Sequence, residues 1–121
     1  KVVSTSNAPQ PLGPYSQAID LGNMVFVSGQ IPVTLLPQDA DTVEERAAQS
    51  LANLKAILAE AGLSMANVVK TVIFLADIND FAAVNAVYAK PLRSRSLPQL
   101  LQVAAIPKGA KLEIECIAVR E

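Results

Sequence analysis

Glu113 and Glu115 stand two residues apart in the run Lys111 to Val119. In an extended strand that spacing puts both carboxylates on one face, where a pair can orient a water and exchange a proton with it. The same spacing equally describes two solvated carboxylates on an exposed strand, so spacing alone does not choose between the readings. Asn85 and Tyr88, three apart at helical spacing, can line a ligand site or serve packing and an ordinary hydrogen bond. Ser28-Gly29, at the end of an apolar run, can present amide donors to an anion or form a structural bulge. Arg93 and Arg95 lie in a loop-like stretch. The chain has no His, and its one Cys is Cys116, so His-based triads, His-ligated zinc, all-cysteine metal clusters and intramolecular disulfides are excluded together. No metal is expected. Chemistry here must use carboxylates, Arg, Lys, Tyr, Ser and backbone amides.

These groups need a scaffold, and 121 residues, 51% of them apolar, supply material for one domain spanning 1–121. Ten basic residues against eleven acidic ones leave a net charge of -1. That balance lacks the cationic excess of a phosphate-backbone binder, so nucleic acid is not the expected partner. The longest uncharged stretches are broken by Pro, Gly, Asn or Gln well short of about 18 continuous apolar residues, so no membrane span is expected, and the opening residues do not read as a signal peptide. A single free thiol fits a reducing compartment; the cytoplasm is expected, or the mitochondrion if a leader has been removed. High apolar content in so small a chain also points to burial between subunits.

The segment Ala8 to Pro14 holds three of the eight prolines and reads as an extended approach to the first strand. Tyr15 to Asp20 and Met24 to Ser28 flank Leu21-Gly22-Asn23, a turn that predicts a β-hairpin. Val33 to Asp39 reads as loop. Thr42 with Glu45 three places on matches a capping box and starts a helix. Val43, Ala47, Leu51, Leu54, Leu58 and Ala61 form its apolar stripe, Glu44, Gln49, Asn53 and Glu60 lie mostly away from it, and Gly62 caps its end. After a Ser64-capped turn, Val68 to Leu75 reads as a strand. Asp77 or Asn79 then begins a second helix carrying Phe81, Val84, Val87 and Tyr88. Leu100 to Ile106, a Pro107-Lys108-Gly109 turn and Lys111 to Val119 predict two further strands, adjacent and antiparallel. In the last run Leu112, Ile114, Cys116 and Ala118 share the face toward the helices. There Cys116 acts as a small hydrophobe with no catalytic role. Glu113, Glu115, Ile117 and Val119 share the opposite, half-polar face, which suits a subunit interface with a polar pocket at its edge.

Six blocks taken in order carry a resemblance: Gly13 to Ala18, Phe26 to Pro32, Asn53 to Leu58, Val69-Lys70-Thr71, Asn79 to Asn85, and Ile106 to Ala110 followed by Glu113-Ile114-Glu115. Together they closely resemble the RidA family, also called YjgF, over nearly the whole chain. The resemblance implies an α+β, chorismate mutase-like fold: a mixed β-sheet with two helices packed on one face. It further implies a homotrimer with clefts between subunits, no cofactor, and hydrolysis of small enamines and imines such as 2-aminoacrylate and 2-iminobutanoate to 2-oxo acids and ammonia. By matching position, Glu113 would orient or deprotonate the attacking water. Tyr15 and Asn85 would line the cleft, and Ser28 and Gly29 would form its wall.

One segment departs from the family pattern. The family places Pro-Ala-Arg-Ser before the strand that leads into the Pro-Lys-Gly turn, and its Arg clamps the substrate carboxylate. The matching position here is Pro98, while Ser94-Arg95-Ser96 lies three residues upstream. Either Arg95 reaches the cleft through a rearranged loop, or the clamp is lost; Pro98 cannot donate a hydrogen bond in its place. Three functions follow: an imine/enamine deaminase, an endoribonuclease and translation inhibitor as attributed to some relatives, or a non-catalytic, small-molecule-binding or regulatory trimer. Absent His and near-neutral charge weigh against the ribonuclease.

Overall fold

The computed structural model describes residues 1–32, 42–92 and 97–120. The expected loop over 33–39, and Arg93 and Arg95 with it, lie outside the described residues. Among the described residues six strands and two α-helices follow one another as β1 (Val2–Val3), β2 (Ala18–Asp20), β3 (Met24–Gln30), α1 (Val43–Glu60), β4 (Val68–Leu75), α2 (Phe81–Leu92), β5 (Leu97–Gln102) and β6 (Leu112–Val119). They form one sheet in the order β1-β2-β3-β6-β4-β5. Every pairing is antiparallel except β4 with β5, which makes the sheet mixed, as the resemblance implied.

β5 begins at Leu97 rather than Leu100, and it runs parallel to β4 at the sheet edge instead of beside β6. The reason is the crossover: two parallel neighbours need a long connection, and α2 supplies it. β6 instead fills the gap between β3 and β4. Pro98, in register with Thr71, is tolerated because an edge strand leaves one row of backbone groups unpaired. The two-residue β1 is too short for any periodicity to announce.

The local punctuation acts as the residues suggest. Gly22 takes a positive φ of 98° in the hairpin turn, its N–H donating to Asp20 Oδ1 at 2.8 Å. Thr42 accepts from the Glu45 amide at 3.1 Å, but its partner bond is made side chain to side chain, Thr42 Oγ1 to Glu45 Oε1 at 3.2 Å, and not to the Thr42 amide of a full capping box. At the other end Leu63 N–H reaches Leu58 O and Gly62 N–H reaches Ala59 O, with Gly62 at φ 80°; this is a Schellman cap.

α1 lies over β3 and β6 and against α2. Its stripe is buried as expected at Ala47, Leu51, Leu54 and Leu58, joined by Ile57, and it meets the inward row Leu112, Ile114, Cys116 and Ala118. Each such large side chain, once buried, stabilises by about 1.5–3 kcal/mol relative to exposure. Asn53 differs from the sequence reading: it is buried, donating to Ile31 O at 3.1 Å and accepting from Gln49 at 2.9 Å. That bond ties the helix to the chain just beyond β3, and the satisfied amide removes most of the cost of burying it. The Asn85/Tyr88 pair divides between layers. Tyr88 is buried with its hydroxyl 2.6 Å from Thr71 Oγ1, whereas Asn85 is exposed.

Candidate functional site

The site is built on an irregularity in β3. Val27 pairs with Cys116 and Gln30 with Ile114, so Ser28 and Gly29 together face the single residue Glu115. This is the bulge that a Gly in a strand pattern suggested. Ser28 is fixed within it: its N–H donates to Gln17 O at 2.9 Å and its hydroxyl to Ser16 O at 2.6 Å.

Across the bulge lies Glu113. A Cβ built on Gly29 would fall 2.6 Å from both Glu113 Cδ and Oε2 and 2.8 Å from Cγ, inside any permitted contact. Gly29 does not have a positive φ, unlike Gly22, Gly62 and Gly109. Its missing side chain is therefore a matter of space: the Glu113 carboxyl rests on the bare backbone of the bulge.

That placement changes the carboxyl's chemistry. Glu113 is half-buried, and burial, reinforced by the Glu115 charge, raises its pKa above the ordinary value of 4.5. A carboxyl shifted in that direction is a better proton acceptor than an ordinary Glu once ionised. Cys116, on the opposite face, is pushed up to about 12, first by burial and then by Glu115, so its thiol stays protonated and inert.

Tyr15 approaches from the proline-rich strap that precedes β2. It is exposed, and its hydroxyl accepts from the Leu12 N–H at 3.2 Å. Strap and bulge enclose a small pocket of about 40 Å³, whose walls include Pro9, Leu12, Tyr15, Gly29 and Ile31. On the outer sheet face a broader groove of about 400 Å³ runs past Phe26, Ser28, Lys70, Val72, Glu115 and Ile117. The structure thus brings Tyr15, Ser28, Gly29 and Glu113 around the bulge. Asn85 belongs to the helical layer and lines neither cavity. Arg95 lies outside the described residues.

Sequence reasoning passed over two residues here. Lys70 is a cation in the outer groove, and its alternation with Val72 and Phe74 along β4 was the available signal. Gln17 is a buried amide at the root of the strap. Its signal was a side chain with both donor and acceptor beside prolines that lack amide hydrogens. Among the described residues, no group of three or more Cys, Asp or Glu could hold a metal ion, and no helix is long and apolar enough to cross a membrane.

Comparison with known proteins agrees with this architecture. The family model for endoribonuclease L-PSP matches residues 5–120. The 2-iminobutanoate/2-iminopropanoate deaminase of Escherichia coli K12 is 46% identical, over 99% of this chain and 98% of its own. A RutC family protein of Pasteurella multocida is 50% identical over 99% and 98%. The crystal structure of Escherichia coli TdcF with bound serine superposes with a TM-score of 0.94 at 44% identity, covering 100% of this chain and 99% of the other. The match runs from the strap through the bulge to the last strand, and the chain belongs to the endoribonuclease L-PSP family, the RidA/YjgF family that its sequence blocks resemble.

Proposed function

We propose that this protein is an imine/enamine deaminase, hydrolysing 2-iminobutanoate, 2-iminopropanoate and their enamine tautomers to 2-oxo acids and ammonia. The observation that carries this reading is the Glu113 carboxyl, half-buried, raised in pKa and seated on Gly29 beside the Tyr15 pocket. Supporting it is the close relationship to a deaminase of that name.

The imine carbon is already electrophilic, so much of the acceleration can come from holding water at attack distance. Glu113 takes a proton from the water as its oxygen bonds to the imine carbon, and the C=N electron pair moves to nitrogen, which is protonated. The proton Glu113 took goes to that nitrogen, and in the resulting carbinolamine Glu113 then carries the hydroxyl proton to the amino group as C=O forms, so that the C–N bond breaks and ammonia leaves. One imine and one water thus become one oxo acid and one ammonia. Tyr15 and the Ser28–Gly29 backbone form the wall against which the substrate lies, and Asn85 belongs to a cleft completed by assembly. The substrate carboxylate needs a fixed cation, for which a bidentate Arg is best suited. Arg95 is our candidate. Without such a clamp, binding weakens by roughly 1.5–3 kcal/mol.

The active assembly on this reading is a homotrimer. The outer sheet face leaves Ile19 38% and Phe26 43% exposed, with Val72, Phe74, Ile117 and Val119 beside them. A single protomer offers only a small, partly open pocket of about 40 Å³ at Tyr15. A neighbouring subunit across the outer face would enclose the broader groove. A cytoplasmic setting accords with the lone, protonated Cys116.

The test is semicarbazone formation from 2-iminobutanoate, generated from threonine by a pyridoxal phosphate dehydratase, with this protein and with Arg95→Ala. Suppression by the wild type and its loss in the variant support the deaminase and the clamp. Absence of suppression by folded trimers of both overturns it in favour of a binding trimer. A monomer mass by light scattering removes the trimer and its interfacial cleft.

A further inference from the structure

Gln17 is 2% exposed, and its side chain has four hydrogen-bond contacts, one accepted and three sharing the two amide hydrogens, every one to main chain. Oε1 accepts from Thr5 N–H at 2.7 Å, while Nε2 lies within donating distance of the carbonyls of Thr5 (3.1 Å), Ala8 (3.3 Å) and Pro9 (2.9 Å). The strap it grips forms no strand or helix between residues 4 and 16, and Pro9, Pro11 and Pro14 give it no amide hydrogens. The strap cannot build its own hydrogen-bond ladder, so a side chain supplies the bonds that a neighbouring strand otherwise would. Thr5 and Ala8 are buried at 6% and 0% as a result. The same residue reaches the other wall of the pocket, because the Gln17 carbonyl accepts from Ser28 N–H in the bulge.

We infer that Gln17 is a positioning residue for the proposed reaction: it locks the strap that carries Tyr15 in register with the Ser28–Gly29 bulge on which Glu113 rests. Gln17 also lines the pocket, but its side-chain amide is committed to main chain, so it acts through these two walls. The inference rests on the deaminase reading for its kinetic consequence only; the locking is a property of the fold.

Two variants test it. Gln17→Met keeps the shape and removes all four contacts. It is expected to lose amide-exchange protection over residues 5–15 by tenfold or more while β3, β4 and β6 keep theirs, and to lower kcat/KM about tenfold or more, mainly in kcat. Gln17→Glu adds a pH readout that bulk packing would not move. When protonated, the introduced carboxyl can still accept from Thr5 N–H and donate to one carbonyl; when ionised, it faces three carbonyls with no hydrogen to give. Burial keeps it protonated to a higher pH than a solvated Glu. The ratio of Gln17→Glu to wild-type activity should therefore be highest at low pH, below one because one donor is lost, and fall as pH rises, a ratio from which the shared titration of Glu113 cancels.

Unchanged exchange in the strap of Gln17→Met overturns the inference. So does a loosened strap with wild-type kcat and KM, or a flat activity ratio for Gln17→Glu. A wild type that consumes no imine removes the deaminase reading, not this one, which the exchange of residues 5–15 and its pH dependence in Gln17→Glu then decide.

Discussion

Gly29→Ala separates a site made by space from one made by backbone conformation. Gly29 has no positive φ, so an Ala there meets no backbone penalty; its cost is the 2.6 Å approach of the new Cβ to the Glu113 carboxyl. Ordinary contact begins near 3.4 Å, so the carboxyl must retreat by about 0.8 Å. Glu113 Cγ, at 2.8 Å, must give way along with the carboxyl, so the whole flexible side chain has to turn aside, at about 0.5–1.5 kcal/mol. We expect a Tm lower by only a few degrees and an intact fold by circular dichroism. Activity should suffer far more. Misplacing a reacting group by about 1 Å costs on the order of a hundredfold, or about 2.7 kcal/mol in kcat/KM, measured by the semicarbazide competition assay. The loss should run through Glu113 alone, so Gly29→Ala added to Glu113→Ala should produce no further drop. A Gly29→Ala protein with wild-type kcat/KM, or a double variant whose losses multiply, would refute the claim that this glycine exists to seat the carboxyl.

Three further outcomes follow from the same structure. Because burial and Glu115 raise the Glu113 pKa, Glu113 contributes stability that is present below its ordinary value and lost as pH rises through the raised one. Glu113→Gln should therefore melt higher than wild type at neutral pH, lose that advantage in acid, and keep only a small residual activity throughout; Glu115→Gln should move the acidic limb of activity to lower pH. Asp20 is the opposite case, held at about 2 by the Arg120 guanidinium, which also donates to Gly22 O and Ala61 O. Its stabilisation is present above the ordinary carboxylate range and lost as pH falls toward 2, so the Tm deficit of Asp20→Asn at pH 7 should vanish along that descent. The Ser50 hydroxyl is fully buried with no hydrogen-bond partner among the described residues. Ser50→Ala, which removes that unmet donor and improves helix propensity, should raise stability by about 1 kcal/mol in thermal melts.

The chemistry and the fold meet at the β3 bulge, and this explains why a carboxyl can serve here without His. The bulge gives Glu113 a bare backbone to rest on, the half-polar outer face holds Glu115 near enough to raise its pKa, and the strap brings Tyr15 alongside. Spacing alone left a Glu-x-Glu pair open to a solvated reading; the half-burial of Glu113 beside the bulge is what distinguishes it.

What the residues determined by themselves is mostly local. Thr42 and Gly62 set the limits of α1 because capping bonds reach only three to five residues. Leu112 to Val119 sorted its side chains between core and outer face because alternation is a property of one extended strand. The ordered blocks, from Gly13-Pro14-Tyr15 to Glu113-Ile114-Glu115, carried the family. Partnership across the sheet was decided only in three dimensions. Periodicity states which face a residue takes but not which strand lies beside it, so β5 could be misread as the neighbour of β6 when α2 carries it to the far side of β4. The burial of Asn53 against Ile31, the apposition of Glu113 to Gly29 and the grip of Gln17 on Thr5, Ala8 and Pro9 join residues 22, 84 and up to 12 positions apart. Such contacts exist only after the hydrophobic faces have packed, because only the packed sheet and helices bring these groups within the 3–4 Å over which hydrogen bonding and steric exclusion act.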